Sequence, residues 1–191
     1  RVEENRISKD YLPKGEEGEI HQRYKLNDIN HLTEGDWLIL TRTNPLLKPI
    51  PALLKRRGLF FETTDGNSMG KGLFEDVQNW NRLRKGETLP EIQETRVRER
   101  IKGKPDYSLE WYDAFTNVAD TKKEYLRAML MNGEDLSKEP RIKVSTIHGA
   151  KGGEATNVVL FLNQTSNTMK AAKKSKAKQD EEYRVWYVGV T

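Results

Sequence analysis

Between Val144 and Leu162 the chain reads VSTIHGAKGGEATNVVLFL, a β-branched run that stops at a histidine, passes through a flexible charged loop and climbs back into an apolar run. The loop gathers groups suited to a nucleotide or a phosphate backbone. Gly149, Gly152 and Gly153 let the main chain approach a ligand or adopt positive φ, and Lys151 can meet a phosphate. Glu154 can accept from ribose hydroxyls, and His148 offers a ring for stacking or a donor for phosphate. Glycine-rich turns also join strands without binding anything, so the residues alone leave both readings open. GxxxxGK[ST], the phosphate-cradling loop of many nucleoside triphosphatases, occurs nowhere in the chain.

Such a loop does chemistry only when rigid elements hold it, and in open α/β sheets ligands sit beyond the carboxyl ends of the strands. DWLILTRTN, from Asp36 to Asn44, reads as a strand buried on both faces. Leu46, Leu47, Ile50, Leu53 and Leu54 then recur at helical spacing after Pro45, with Gly58 as a stop, and LFFET reads as the next strand. This β-α-β order predicts a parallel, helix-covered sheet. GEIHQRY, from Gly18 to Tyr24, alternates like a short strand, and RIKVSTI and NVVLFLN are two more buried strands. Between the two groups of strands, GLFEDVQNWNRLRKG, TLPEIQETRVRERIKG, YSLEWYDAF and DTKKEYLRAMLMNG read as short amphipathic helices, with Trp80, Trp111, Tyr112, Phe115 and Tyr125 as a small core. MKAAKKSKAK, from Met169 to Lys178, is read as a solvated loop, with contact to DNA phosphates as the other reading. The fold class is thus α/β with a small, mainly helical insertion.

The totals narrow the chemistry further. The chain has 191 residues, 35% hydrophobic and 32% charged, enough for one domain with an insertion. A net charge of +4 permits a polyanion partner without demanding one. With no cysteine, disulfides, thiolate metal sites and a cysteine nucleophile are excluded. His21, His31 and His148 lie far apart with no ligand spacing, so no metal site is expected. No apolar run reaches the ~18 residues of a membrane span, and RVEENRISKDYLPKGEEGEI lacks a signal-peptide core, which reads as a soluble, cytoplasmic protein without a membrane partner. The chain opens without Met and stops at WYVGVT without a cap, as a fragment of a longer polypeptide would.

Three stretches carry a family resemblance. VSTIHGAKGGEATNVVL resembles motif V of superfamily 1 DNA helicases of the UvrD/Rep/PcrA type, DEEYRVWYVGVT resembles their motif VI, and LILTRTN resembles their motif IV. They occur in the family's order. The resemblance covers about residues 18 to 63 and 141 to 191 and implies a RecA-like sheet, the second of two such motor domains. On that scheme residues 1–63 form its first part, 64–140 a reduced accessory insertion without a GIG helix-hairpin-helix signature, and 141–191 its second part.

The resemblance implies roles residue by residue. Arg42 falls where the family has an arginine reaching the γ-phosphate, a planar fixed charge suited to phosphoryl transfer; its bland alternative is a surface arginine in a helix-capping turn. Glu154, with Gly152 and Gly153, falls at nucleotide-contacting positions, and Thr146, His148 and Lys151 at positions facing single-stranded DNA. Arg184 and Tyr187 belong to motif VI, although an arginine beside Glu181 and Glu182 also suits a plain salt bridge. Thr41 stands where relatives often have an adenine-stacking tyrosine. The family's arginine finger would follow Thr191, and its Walker motifs lie on the first RecA-like domain. ATP and Mg²⁺ are the implied cofactors, with the Mg²⁺ ligands outside this chain. Single-stranded DNA, single-strand/duplex junctions and the first RecA-like domain of the same polypeptide are the implied partners, with 3′-to-5′ movement. A non-motor DNA-binding or regulatory module on a degenerate RecA-like fold, and a helicase-nuclease subunit, are the alternatives.

Overall fold

The computed structural model describes residues 18–29 and 32–190, and the backbone alone of residue 71. The charged N-terminal stretch before Gly18 and His31 lie outside the described residues. Strand β1 (Trp37–Thr41) carries alternate side chains to two different cores. Ile39 packs with Ile50 and Leu54, whereas Leu38 and Leu40 pack with Ile147, Val185 and Trp186. A strand so placed has no wet face, which explains its unbroken apolar run.

After β1 come α1 (Asn44–Leu47) and α2 (Pro49–Arg56). The single helix expected here is split at Lys48, because Pro49 and Pro51 have no N–H to donate back into the preceding turn. The stop at Gly58 is as expected. It takes φ +62°, its N–H donates to Lys55 O, and the Leu59 N–H donates to Leu54 O, the paired bonds of a left-handed helix terminus. Strand β2 (Phe61–Thr63) then turns into β3 (Gly66–Asn67), an antiparallel hairpin the sequence reading did not include.

Helices α3 (Lys71–Arg84), α4 (Glu91–Glu99), α5 (Trp111–Ala114) and α6 (Asp120–Met131) fall on the four stretches read as helical. They share a core of their own around Leu73, Val77, Trp80, Trp111, Phe115 and Leu126, which Phe60 joins from the edge of β2. Tyr112 and Tyr125 pack against it. The fully buried Asp76 of α3 is gripped by Arg96 of α4 and by Arg100 at its C-terminal cap, at 2.9 and 2.8 Å, a one-turn pair of cations that locks the two helices.

The chain returns through β4 (Ile142–Thr146) and β5 (Asn157–Leu160), then α7 (Ser166–Ala172) and α8 (Lys176–Val190). Sheet order is β3-β2-β4-β1-β5, parallel except for β3, so the sheet is mixed, with α2 on one face and α8 on the other. Among the described residues no helix is long and apolar enough to cross a membrane.

Two expectations are corrected. Gly18 to Tyr24 form no strand, because alternation makes a strand only when one face is buried, and Ile20 and Tyr24 are 99% and 90% exposed. Met169 to Lys178 are not a loop. Most of them belong to α7 and α8, with a turn between. Lysine and alanine are good helix formers, and the Thr165 side chain accepts from the Thr168 N–H to cap α7. The lysines are nevertheless solvated.

At Gly58 an added Cβ would stand 2.8 Å from the Ala128 Cβ of α6, in a left-handed backbone that already costs a non-glycine residue about 1–2 kcal/mol. Gly58→Ala is therefore expected to destabilise the protein by about 2 kcal/mol or more in urea unfolding. A loss below about 0.5 kcal/mol would contradict the close approach of α6 to this turn.

Candidate functional site

Parallel strands cannot be joined by a tight turn, yet β4 and β5 flank β1 and are joined by only ten residues, 147–156. The crossover has no helix. It begins at the carboxyl edge, where the Ile147 N–H donates to Thr41 O, and must end at the opposite edge, where the Asn157 N–H donates to Asp36 O. In between it lies against the α8 side of the sheet, with Ala150 and Ala155 packed on Leu38, Leu40 and Ile147. Glycine is needed to fold so short a return: a Cβ at Gly149 would stand 2.6 Å from Ser145 Oγ, and Gly152 has φ +82°. The Thr146 hydroxyl accepts from the Gly149 N–H at 3.1 Å, and the Gly153 N–H donates to Ala150 O at 2.7 Å.

His148, Lys151, Gly152, Gly153 and Glu154 are exposed along this return, while Thr146 is half-buried at the end of β4. A shallow cleft of about 320 Å³ opens beside it, floored by Leu38, Lys143 and Ser145 and walled by Gly149 to Gly153 and the hairpin residues Thr63 and Thr64. Lys143 and Ser145 alternate with the core residues Ile142 and Val144, so the face of β4 that meets the cleft is polar. RIKVSTI reads as buried throughout, and Ser145 is buried as expected, whereas Lys143 is exposed on this face.

Arg42 is the first residue beyond β1. Its Nε and Nη2 donate to Oε1 and Oε2 of Glu182 on α8 at 2.8 and 2.7 Å. Both side chains are more than four-fifths buried, and a bidentate pair of this kind fixes the guanidinium plane. Gln164 Nε2 also reaches Glu182 Oε1, at 3.4 Å. The Arg42 Nη1 group has no hydrogen-bond partner among the described residues. Glu154 is not among the partners of Arg42; it lies near the other end of the crossover, two residues before Thr156.

Glu182 was read only as a flanking acid. Its partner lies 140 residues away, and nothing local in the sequence signals it. Arg184, read alternatively as the partner of these acids, is exposed and has no ion pair among the described residues; Glu181 pairs with Lys178 instead. Tyr187 is 36% exposed on the same helix.

With its Nε and Nη2 taken by Glu182, Arg42 can meet a phosphate at the carboxyl edge of the sheet through Nη1 alone, and the polar crossover beside it can meet a nucleic-acid strand. Among the described residues no group of three or more His, Asp or Glu is placed to hold a metal ion. Fold and topology define a RecA-like α/β domain. The model of the UvrD-like helicase C-terminal domain matches residues 91–191, and the chain belongs to that family. No curated protein and no solved structure matches the chain.

The foot of the crossover is held by Asp36, whose Oδ1 and Oδ2 accept from the Thr156 hydroxyl and N–H at 2.6 and 2.8 Å. The hydroxyl bond, then the amide bond, holds the Asp36 carboxyl below its usual value of 3.8. A lowered folded pKa contributes stability above the unfolded value that is lost as pH falls through the folded value. Asp36→Ala is expected to lower Tm at neutral pH and to differ less and less from the unaltered protein as pH falls below about 3.8. A Tm difference that stays constant across that window would show that this carboxylate does not hold the crossover.

Proposed function

We propose that this chain is the second RecA-like motor domain of an ATP-dependent helicase or translocase that moves 3′-to-5′ on single-stranded DNA, with residues 64–140 as a reduced accessory insertion. The observation that carries the reading is the bidentate Arg42–Glu182 pair. It ties the stretch resembling motif IV to the helix resembling motif VI, and it orients a permanent cation at the edge where a domain partner would present phosphate. ATP with Mg²⁺, held mainly by the first RecA-like domain, supplies the phosphoryl group.

In this reading Arg42 stabilises charge on the γ-phosphate through Nη1, while Glu182 holds its plane. Glu154, Gly152 and Gly153 border the nucleotide; Thr146, His148 and Lys151 face single-stranded DNA. Arg184 and Tyr187 couple α8 to the partner domain. Family membership supports DNA binding in general.

In the complete protein, Arg42→Ala is expected to lower kcat for DNA-stimulated ATP hydrolysis about 10²-fold with single-strand affinity nearly unchanged. Glu182→Gln, which keeps shape but loses the charge, should lower kcat less. A normal kcat in Arg42→Ala would make Arg42 structural. This chain alone should show no ATPase above background.

The crossover makes a second test. His148→Ala should weaken binding of a labelled oligothymidine, whereas Glu154→Ala should raise KM for ATP, and both should reduce stimulation of ATPase by DNA. If both variants hydrolyse ATP and unwind duplex as the unaltered protein does, with unchanged Tm, the crossover is a strand connection only.

A further inference from the structure

The corner between α7 and α8 concentrates positive charge, and little of it is paired among the described residues. Lys170, Lys173, Lys174 and Lys176 are all exposed, and none has an ion pair among the described residues. Lys178 is different: its Nζ lies 2.7 Å from Glu181. No acidic residue occurs between Asn163 and Gln179, and the first acid along α8 is Asp180, one turn beyond Lys176. Lys170 and Lys173 stand at the C-terminal end of α7, where the helix dipole favours them. Lys176 opens α8, whose first turn has no acid and whose dipole repels a cation. An arrangement that is self-repelling in the free protein gains most from a dense polyanion.

The lysine tract itself carries no group for base stacking. No aromatic residue occurs between Phe161 and Tyr183, so no ring is available for stacking at the lysines themselves. Contacts here are to phosphate alone, and duplex DNA presents phosphate at the highest density, about one charge per 1.7 Å of axis. Six residues of α8, about 9 Å of helix rise, separate Lys176 from Glu182 and hence from the Arg42 pair. The corner therefore lies near the candidate nucleotide edge without being part of it.

We infer that the α7–α8 corner is a docking surface for the phosphate backbone of duplex DNA, engaged through Lys170, Lys173, Lys174 and Lys176. This rests on the proposed function in that the chain acts on nucleic acid at all. Binding is sequence-independent, and each lysine that meets a phosphate releases a counterion.

The test compares the complete protein with a variant in which the four lysines become Gln, a residue of similar helix propensity, so that α7 and α8 persist. Circular dichroism and Tm check that they do. Affinity is measured against salt for a blunt hairpin duplex and for oligothymidine. For the duplex, the slope of log K against log salt should fall in magnitude by about 2 to 4 in the variant, at 0.9 per phosphate contact. Replacing the four lysines by Arg should restore it. The slope for oligothymidine should be nearly unchanged. An unchanged duplex slope overturns this inference and leaves the proposed function standing, whereas no binding of either DNA by the unaltered protein removes both. A slope change confined to oligothymidine overturns the assignment to duplex. Loss of binding to vesicles of phosphatidylserine and phosphatidylcholine, with both DNA slopes unchanged, would make the corner a lipid surface and overturn it as well.

Discussion

Arg141 and Glu134 form the contact on which the arrangement of sheet and insertion depends. Arg141 Nη2 and Nε donate to the Glu134 carboxylate at 2.7 and 3.1 Å, while Nη1 and Nη2 also donate to Gly35 O and Leu32 O. Glu134 Oε1 accepts from the Phe60 N–H, and Arg141 O accepts from the Trp37 N–H. One ion pair thus joins the approach to β2, the end of the helical segment, the entry to β4 and the turn before β1. The Glu134 side chain is only 3% exposed, so losing its cation would strand a buried carboxylate at a cost of about 3–5 kcal/mol. Because Phe61 pairs with Ile142 and β3 runs back along β2, the helical segment leaves and re-enters the sheet at the same end of its strands, with only β2 between. A separate core can be carried there without splaying the strands.

With the strands in register, the site follows from topology. β1 lies between β4 and β5, so the segment joining those two must cross β1 in the space usually given to a helix. A crossover this short leaves Lys143 of β4 exposed, and the cleft opens beside it. It also brings α8 down onto Leu38 and Leu40, close enough for Glu182 to take Arg42. Flexibility of the glycine loop and the fixed orientation of the arginine are two results of one crowded connection.

Much of this was legible along the chain. Apolar runs marked β1, β4 and β5, helical spacing marked α3 to α6, and Gly58 marked a helix end, because each signal is local; β5, expected to be buried, is instead an edge strand with Val158 half exposed. What escaped was of two kinds. The charge density of the lysine tract reads as a loop, but the helix propensity of Lys and Ala and the Thr165 cap outweigh it. Gly18 to Tyr24 had the right alternation but no apolar surface to cover. The Glu182 partner of Arg42, the Asp36 anchor of Thr156 and the polar face of β4 depend on which strands become neighbours, and that is decided by residues far apart in the chain.

That the helical segment leaves and re-enters the sheet at one end also bears on the order in which the protein assembles. β1 and β4 pair across the whole of that segment, and bringing such distant partners together from an open chain carries a large loop-closure entropy. The helices α3 to α6 make their core from near neighbours in sequence, apart from Phe60 at one end. Once they are packed, Asn132 Nδ2 reaches Arg57 O and Gly58 O, the Tyr125 hydroxyl reaches Leu59 O, and Glu134 stands beside the Phe60 N–H. The long loop has then become a short one, and the strand that carries the crossover is delivered to the edge of β2. The helical segment acts as an internal folding template for the sheet it interrupts.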